Sequence, residues 1–228
     1  MEANELYLSK EDALWQKAVS IASMNNNWVP GKVICVEESF NWLGFQEDQL
    51  KTHSTLYRTG DGKVKCDISK IFQDGKDITN EFIGKYGDSM LLEKNEYRVE
   101  HPFRPSVQDQ VTYTQRNKKK TIYGKRCMLY DFEYQNDIGV WKGTAWLEQN
   151  SGVPVLVEGT LQSVPVEKKY YTITNMEITA SFAANGNGEW FPEQAVVDYN
   201  MKVGDKLFQT YRGRIKETYK FSNHWRYQ

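Results

Sequence analysis

At 228 residues the chain has room for one large domain or two small ones, and all-β domains often use such a length as a single unit. Its 29 basic and 30 acidic residues nearly cancel, so total charge gives no pull towards nucleic acid or an anionic membrane surface. Aromatic residues make up 14% of a chain whose apolar content is an ordinary 39%, so large rings carry much of the burial.

No apolar stretch is long enough to span a bilayer, and the opening MEANELYLSKED does not have the form of a signal peptide. The N-terminus of a cytosolic protein and that of a processed secreted domain both fit it. Ser9-Lys10-Glu11-Asp12 has the form of a capping box, and Leu14, Ala18, Ile21 and Ala22 then recur on one helical face until Asn25-Asn26-Asn27. This predicts an amphipathic helix of about four turns. Residues 31–42 read as strand; Thr55–Arg58 and Lys63–Ile71 read as two more around the Gly60-Asp61-Gly62 turn. A second helical stretch is expected from Asp77 to about Leu92, with Phe82, Ile83 and Tyr86 on one side and a break at Gly84 and Gly87.

His101-Pro102-Phe103-Arg104-Pro105 reads as loop, because two prolines exclude helix interior and central strand. It would join an N-terminal part, 1–100, to an antiparallel meander, 101–228, within one domain. Lys118-Lys119-Lys120 is read as a solvated loop rather than a phosphate or lipid-headgroup contact, since no aromatic or arginine interleaves with it. After Ile122, Met128, Tyr130, Phe132 and Tyr134 share one strand face and Asp131 and Glu133 the other. VWKGTAWLEQNSGVPVLVEG, Val140 to Gly159, reads as a hairpin over Gln149-Asn150-Ser151-Gly152. In it Trp141 looks inward and Trp146 sits near a rim, while Pro154 marks an edge or a bulge.

The same period returns in Met176, Ile178, Ala180 and Phe182, in Ala195, Val197, Tyr199, Met201 and Val203, and in Ile215, Tyr219, Phe221, Trp225 and Tyr227. Short turns join these strands, and short turns link only antiparallel neighbours. A large curved antiparallel sheet with a helix or two on its apolar face follows.

Cys35, Cys66 and Cys127 follow no Cys-x-x-Cys spacing; they are read as buried small hydrophobes, or as one pair and a remainder in an oxidising compartment. His53, His101 and His224 share no metal-ligand spacing, and His224 is expected to face solvent. No nucleophile elbow or phosphate loop occurs. Asp74-Gly75-Lys76-Asp77 lacks the ligand pattern of a calcium loop. Glu37-Glu38 and Asp131/Glu133 are read as wet strand faces rather than acid/base pairs.

Several stretches resemble the LolA/LppX-like outer-membrane lipoprotein-sorting family, in particular its uncharacterised secreted members. They are Ile122-Tyr123-Gly124-Lys125-Arg126-Cys127 into Tyr130-Asp131-Phe132, Lys142-Gly143-Thr144-Ala145-Trp146-Leu147, Ser151-Gly152-Val153-Pro154, Gly188-Glu189-Trp190-Phe191-Pro192, and Phe221-Ser222-Asn223. The resemblance covers about the C-terminal 130 residues. It implies an α+β, mostly β, unclosed half-barrel wrapped around a few helices, a single domain over 1–228, and an apolar interior that receives lipid or lipoprotein acyl chains in the periplasm or cell envelope.

On that basis the expected function is non-enzymatic binding of a lipid or other apolar ligand by a monomer without cofactor or metal. An envelope membrane protein is a further partner, and nucleic acid is none. The candidate lining is Met128, Tyr130, Phe132, Trp141, Met176, Ile178, Phe182, Val197, Tyr199, Phe221 and Trp225. The alternatives are an envelope interaction module with a filled core, and a hydrolase or isomerase using a carboxylate or histidine site assembled by the fold.

Overall fold

The computed structural model describes residues 10–25, 27–92, 99–136, 138–162, 166–167, 171–184, 189–204 and 209–227. The helical periodicity at the start becomes α1 (Lys10–Met24), while Ser9 of the expected capping box lies outside the described residues. Then follow β1 (Trp28–Val29), β2 (Lys32–Asn41), β3 (Gln46–Arg58), β4 (Val64–Gln73), β5 (Lys76–Asp77), α2 (Thr79–Tyr86) and β6 (Ser89–Leu92). The second helix is thus shorter than its apolar pattern; it stops at Gly87, whose φ of 85° suits glycine, and the chain turns into a strand. A 3₁₀ turn, Pro105–Gln110, leads to β7 (Thr112–Ile122), β8 (Lys125–Asn136), β9 (Gly139–Glu148) and β10 (Pro154–Gln162). The chain closes with β11 (Val166–Glu167), β12 (Tyr171–Ala184), β13 (Trp190–Gly204), β14 (Gln209–Ser222) and β15 (Trp225–Arg226).

The strands form one open antiparallel sheet in the order β5-β4-β3-β2-β14-β13-β12-β10-β9-β8-β7; β6 pairs with β4, β11 with β12, and β1 and β15 make a separate ribbon. The fold is therefore α+β and mostly β, with a sheet that does not close. Because directly opposed residues lie on one face, the register can be followed across the sheet. One row runs Gln115, Tyr130, Ala145, Val157, Ala180, Ala195, Tyr219, Cys35, Thr52, Ile71. The next runs Phe132, Gly143, Gly159, Ile178, Val197, Glu217, Glu37, Leu50, Gln73.

α1 packs on the β7–β9 end of this face. Trp15 is fully buried against Phe103, Tyr113 and Tyr130, with Ala18, Ile21 and Ala22 in the same core. The His101–Pro105 stretch, expected as loop, contributes Phe103 to this core, and Val99 and Val107 on either side of it join in. Glu100 holds it to the sheet by accepting from Tyr134 Oη at 2.8 Å while pairing with Arg104. Burying each large apolar side chain contributes roughly 1.5–3 kcal/mol, so this cluster dominates the burial.

The β9–β10 hairpin shows how closely the layers approach. Phe132 lies over Gly143 and Gly159; a Cβ added to Gly143 would meet Phe132 Cζ at 2.8 Å and the Glu158 carbonyl oxygen at 2.0 Å. The turn is stapled by Gly152 N–H to Glu148 O at 2.9 Å and by Val153 N–H to Ser151 Oγ at 3.1 Å. Lys17 of α1 donates to the Asn150 carbonyl at 3.1 Å. The register shifts between Pro154 and Leu156, the bulge that a proline lacking a ladder donor predicts.

Three features differ from the sequence reading. β3 runs back to Gln46 through a polar stretch, because β2 supplies ladder partners as far as Gln46 and β4 as far as Leu50. The lysine run lies in β7 at the edge of the sheet, exposed, past a register shift between Gln115 and Lys119. Trp146 is buried on the opposite face with Ile122, Cys127, Leu129 and Val155, with Lys118 Nζ 6.0 Å from its ring centre. All three cysteines are free thiols: Cys127 in that cluster, Cys66 with Val29, Leu56 and Val64, and Cys35 on the helix-bearing face.

Candidate ligand site

Most of the residues expected to line a cavity are packed together. Tyr130, Phe132, Trp141, Ile178 and Phe182 are buried in the α1 core, and Met128, Met176, Val197 and Phe221 are half-buried against it. Tyr199 lies further along the same face, opposite Met176 and Ile215. Trp225 belongs elsewhere. The strand pattern breaks at Asn223, whose φ is 54°, so β15 leaves the sheet to pair with β1. Trp225 there packs on Val29, Leu56 and Val64 and donates through Nε1 to the Leu56 carbonyl at 3.0 Å.

Beyond the α1 core the helix-bearing face turns polar. Glu37 and Glu217 oppose each other on β2 and β14, and Glu217 accepts from Tyr199 Oη at 3.0 Å and Tyr219 Oη at 2.7 Å. Partial burial, then the Glu217 charge, raise the Glu37 pKa above the usual carboxylate value. Burial likewise pushes the Cys35 thiol up to about 12, which leaves it a poor nucleophile. The wet-face reading of Glu37 thus fails in part: its side chain is half-buried and faces a second carboxylate.

The clearest recess lies at the end of the sheet, where the C-terminal turn of α1, β1, the 99–105 segment, the first residues of β13 and the β14–β15 break meet. Its walls are Trp28, Pro30, Val99, Pro105, Trp190, Phe191, Pro192 and Phe221, with Asn25, His101, Arg104 and His224 as its polar members; it encloses about 70 Å³. An open groove of about 290 Å³ continues from it, sharing Trp28, Phe191, Phe221 and His224. Rings meet in series around it: Phe191 stacks on His224 at 4.0 Å, Trp28 lies 5.8 Å from Phe191, and Trp190 packs on Phe182 at 4.8 Å and His101 at 5.7 Å.

His224 is not a solvent-facing histidine. Burial lowers its pKa to about 4, so the ring is neutral at pH 7. The Pro192 backbone partly opposes that shift, and Nε2 is buried without a hydrogen-bond partner. Among the described residues, Asn25 Nδ2, Trp28 Nε1 and Trp190 Nε1 are also buried without hydrogen-bond partners.

No family model matches the sequence, and no curated protein matches it. Among solved structures it is similar to a Vibrio parahaemolyticus domain named for outer membrane lipoprotein sorting, at 10% identity and TM-score 0.34, over 92% of each chain. It is also similar to a DUF1329 family protein from Desulfovibrio piger, at 10% identity and TM-score 0.34, over 95% of this chain and 92% of that one.

Sequence reasoning missed Asn25, Trp28 and His224 as site residues, and took Trp190, Phe191 and Pro192 only as part of a structural motif. One signal for them was present. Aromatic or aliphatic residues sit beside proline at Val29-Pro30, Pro102-Phe103 and Phe191-Pro192, and such pairs make stiff corners that bring rings together without regular structure. No cluster of three or more His, Cys, Asp or Glu suited to a metal occurs among the described residues.

Proposed function

We propose that the chain is a non-enzymatic binding protein for an apolar ligand, a lipid or acyl chain, acting as one domain over 1–228 in the periplasm or cell envelope. The observation that carries this reading is the aromatic-walled recess and the groove continuing from it, which offer rings and proline edges rather than a nucleophile. The recess admits only a few heavy atoms, so the bulk of a ligand lies in the groove and over the half-buried face beyond Phe221. Each methylene transferred there from water contributes roughly 0.8 kcal/mol, so part of one chain suffices for measurable affinity. The envelope setting rests on the sequence resemblance, and the near-neutral total charge speaks against a nucleic-acid partner.

Titration with a fluorescent fatty-acyl probe, together with native mass spectrometry of protein expressed in a membrane-containing host, tests the reading. Saturable binding weakened by Trp190→Ala supports it; absence of saturable binding overturns it. The filled α1 core favours a second reading, an interaction module whose sheet is covered by its own helix. That reading predicts no bound lipid and a protein partner instead.

A further inference from the structure

We propose that the tip of the β2–β3 hairpin docks the protein on a zwitterionic lipid bilayer by inserting Trp42, Leu43 and Phe45 among the headgroups. The inference goes beyond the ligand reading above and does not depend on it. Trp42 is 76% exposed, Phe45 67% and Leu43 58%, and none of the three joins a buried cluster. Single exposed apolar residues are ordinary, but no other four consecutive residues among those described expose three large ones. Hairpin turns are mostly built from small and polar residues, so this one departs from the usual turn chemistry. The tip is also held rigidly. Asn41 Oδ1 accepts from the Leu43 and Phe45 N–H groups at 3.0 and 3.1 Å. The Asn41 N–H donates to the Phe45 carbonyl and the Gly44 N–H to the Asn41 carbonyl, both at 3.0 Å, and Gly44 completes the turn at a φ of 84°. Side chains presented on an ordered turn lose little backbone freedom on docking.

The chemistry of the tip selects its partner. No residue from Ser39 to Gln46 is charged. On the neighbouring strand, Arg214 pairs with Asp198 and Lys216 with Glu38, so these cations are already matched. Apolar burial rather than charge therefore drives docking, which suits lipid without net charge. A stable protein interface buries about 1,200–2,000 Å² in total. Three side chains offer on the order of 400 Å², too little for such an interface. A bilayer needs no matching surface, and its headgroup layer accommodates the apolar body of an indole together with its N–H. The β2–β14 ladder runs from Asn41 opposite Gly213 at the tip to Lys32 opposite Ser222 beside the recess. Tip and recess thus lie at opposite ends of this strand pair, and docking leaves the recess uncovered.

The test is sedimentation of the full chain with phosphatidylcholine vesicles at low and at high salt. Reversible binding that salt does not weaken is expected. Trp42→Ala should weaken it about 10-fold, and Trp42→Ser, Leu43→Ser and Phe45→Ser together by about 100-fold or more, with the circular dichroism spectrum unchanged. Brominated acyl chains should quench part of the tryptophan emission, and Trp42→Phe should remove that part. Absence of vesicle binding, undiminished binding by the triple variant, or binding confined to anionic vesicles and lost in salt overturns the proposal. If the triple variant keeps its vesicle binding but loses a dimer seen by analytical ultracentrifugation, the tip meets a second copy instead. Titration of the same proteins with the fatty-acyl probe separates the two readings. Probe binding without vesicle binding strikes the docking proposal alone, and vesicle binding without probe binding strikes the ligand reading alone.

Discussion

Trp15 lies flat on Tyr113, with ring centres 4.4 Å apart and planes within 10° of parallel. The contact ties α1 to the edge strand of the sheet, and the same indole meets Phe103 and Tyr130. Trp15→Ala should cost about 3–5 kcal/mol of unfolding free energy, read from urea denaturation. Trp15→Phe should cost clearly less, because it keeps a stacked ring and removes an indole N–H that has no partner.

The two glycines beneath Phe132 are not equivalent. Gly143→Ala forces a methyl against backbone at 2.0 Å, so a loss of about 1–3 kcal/mol or more is expected. At Gly159 the closest contacts of an added Cβ are 3.6 Å, to Phe132 and Trp141, so Gly159→Ala should lie within roughly 0.5 kcal/mol of the parent. Denaturation midpoints of the two variants check the contrast.

Glu37 and Glu217 repel across β2–β14 when both are charged, and Asp48 adds to the field. Since folding raises the Glu37 pKa above its unfolded value of 4.5, the unfolded chain releases that proton first and stability declines as pH rises through this range. Glu37→Gln should therefore be more stable than the parent at pH 7, by about 0.2–1 kcal/mol, with the advantage vanishing below about pH 4. A stability profile of both proteins against pH decides it.

His224 has the opposite sign. Its folded pKa of about 4 lies below the unfolded 6.5, so the unfolded chain gains a proton first as pH falls, and stability is lost between 6.5 and 4. His224→Phe should flatten the profile in that window and leave it unchanged above pH 7. Thermal melts at a series of pH values give the comparison.

The alternation in β8, β12 and β13, the helical face of α1 and the Pro154 bulge were legible because each is written in local spacing. β3 was read only in part, since Gln46-Glu47-Asp48-Gln49 is strand only by virtue of its neighbours. The end of the last strand was misread because one residue, Asn223, adopts a left-handed turn and sends Trp225 into another cluster. The recess was illegible for a different reason. It is assembled from segments near residues 25, 100, 190 and 224, and its unpaired nitrogens exist as such only once the chain has packed.

An open sheet leaves its outermost strands able to recruit further chains through their free backbone groups. On β7 the residues from Arg116 to Lys120 are all exposed and four of the five are cationic, so a second copy approaching that border would have to bring lysines against lysines. The charge repulsion along this border disfavours edge-to-edge pairing of two copies. Exchanging Lys118, Lys119 and Lys120 for threonine should leave the fold intact while making concentrated solutions prone to sheet-to-sheet polymerisation, visible as thioflavin fluorescence.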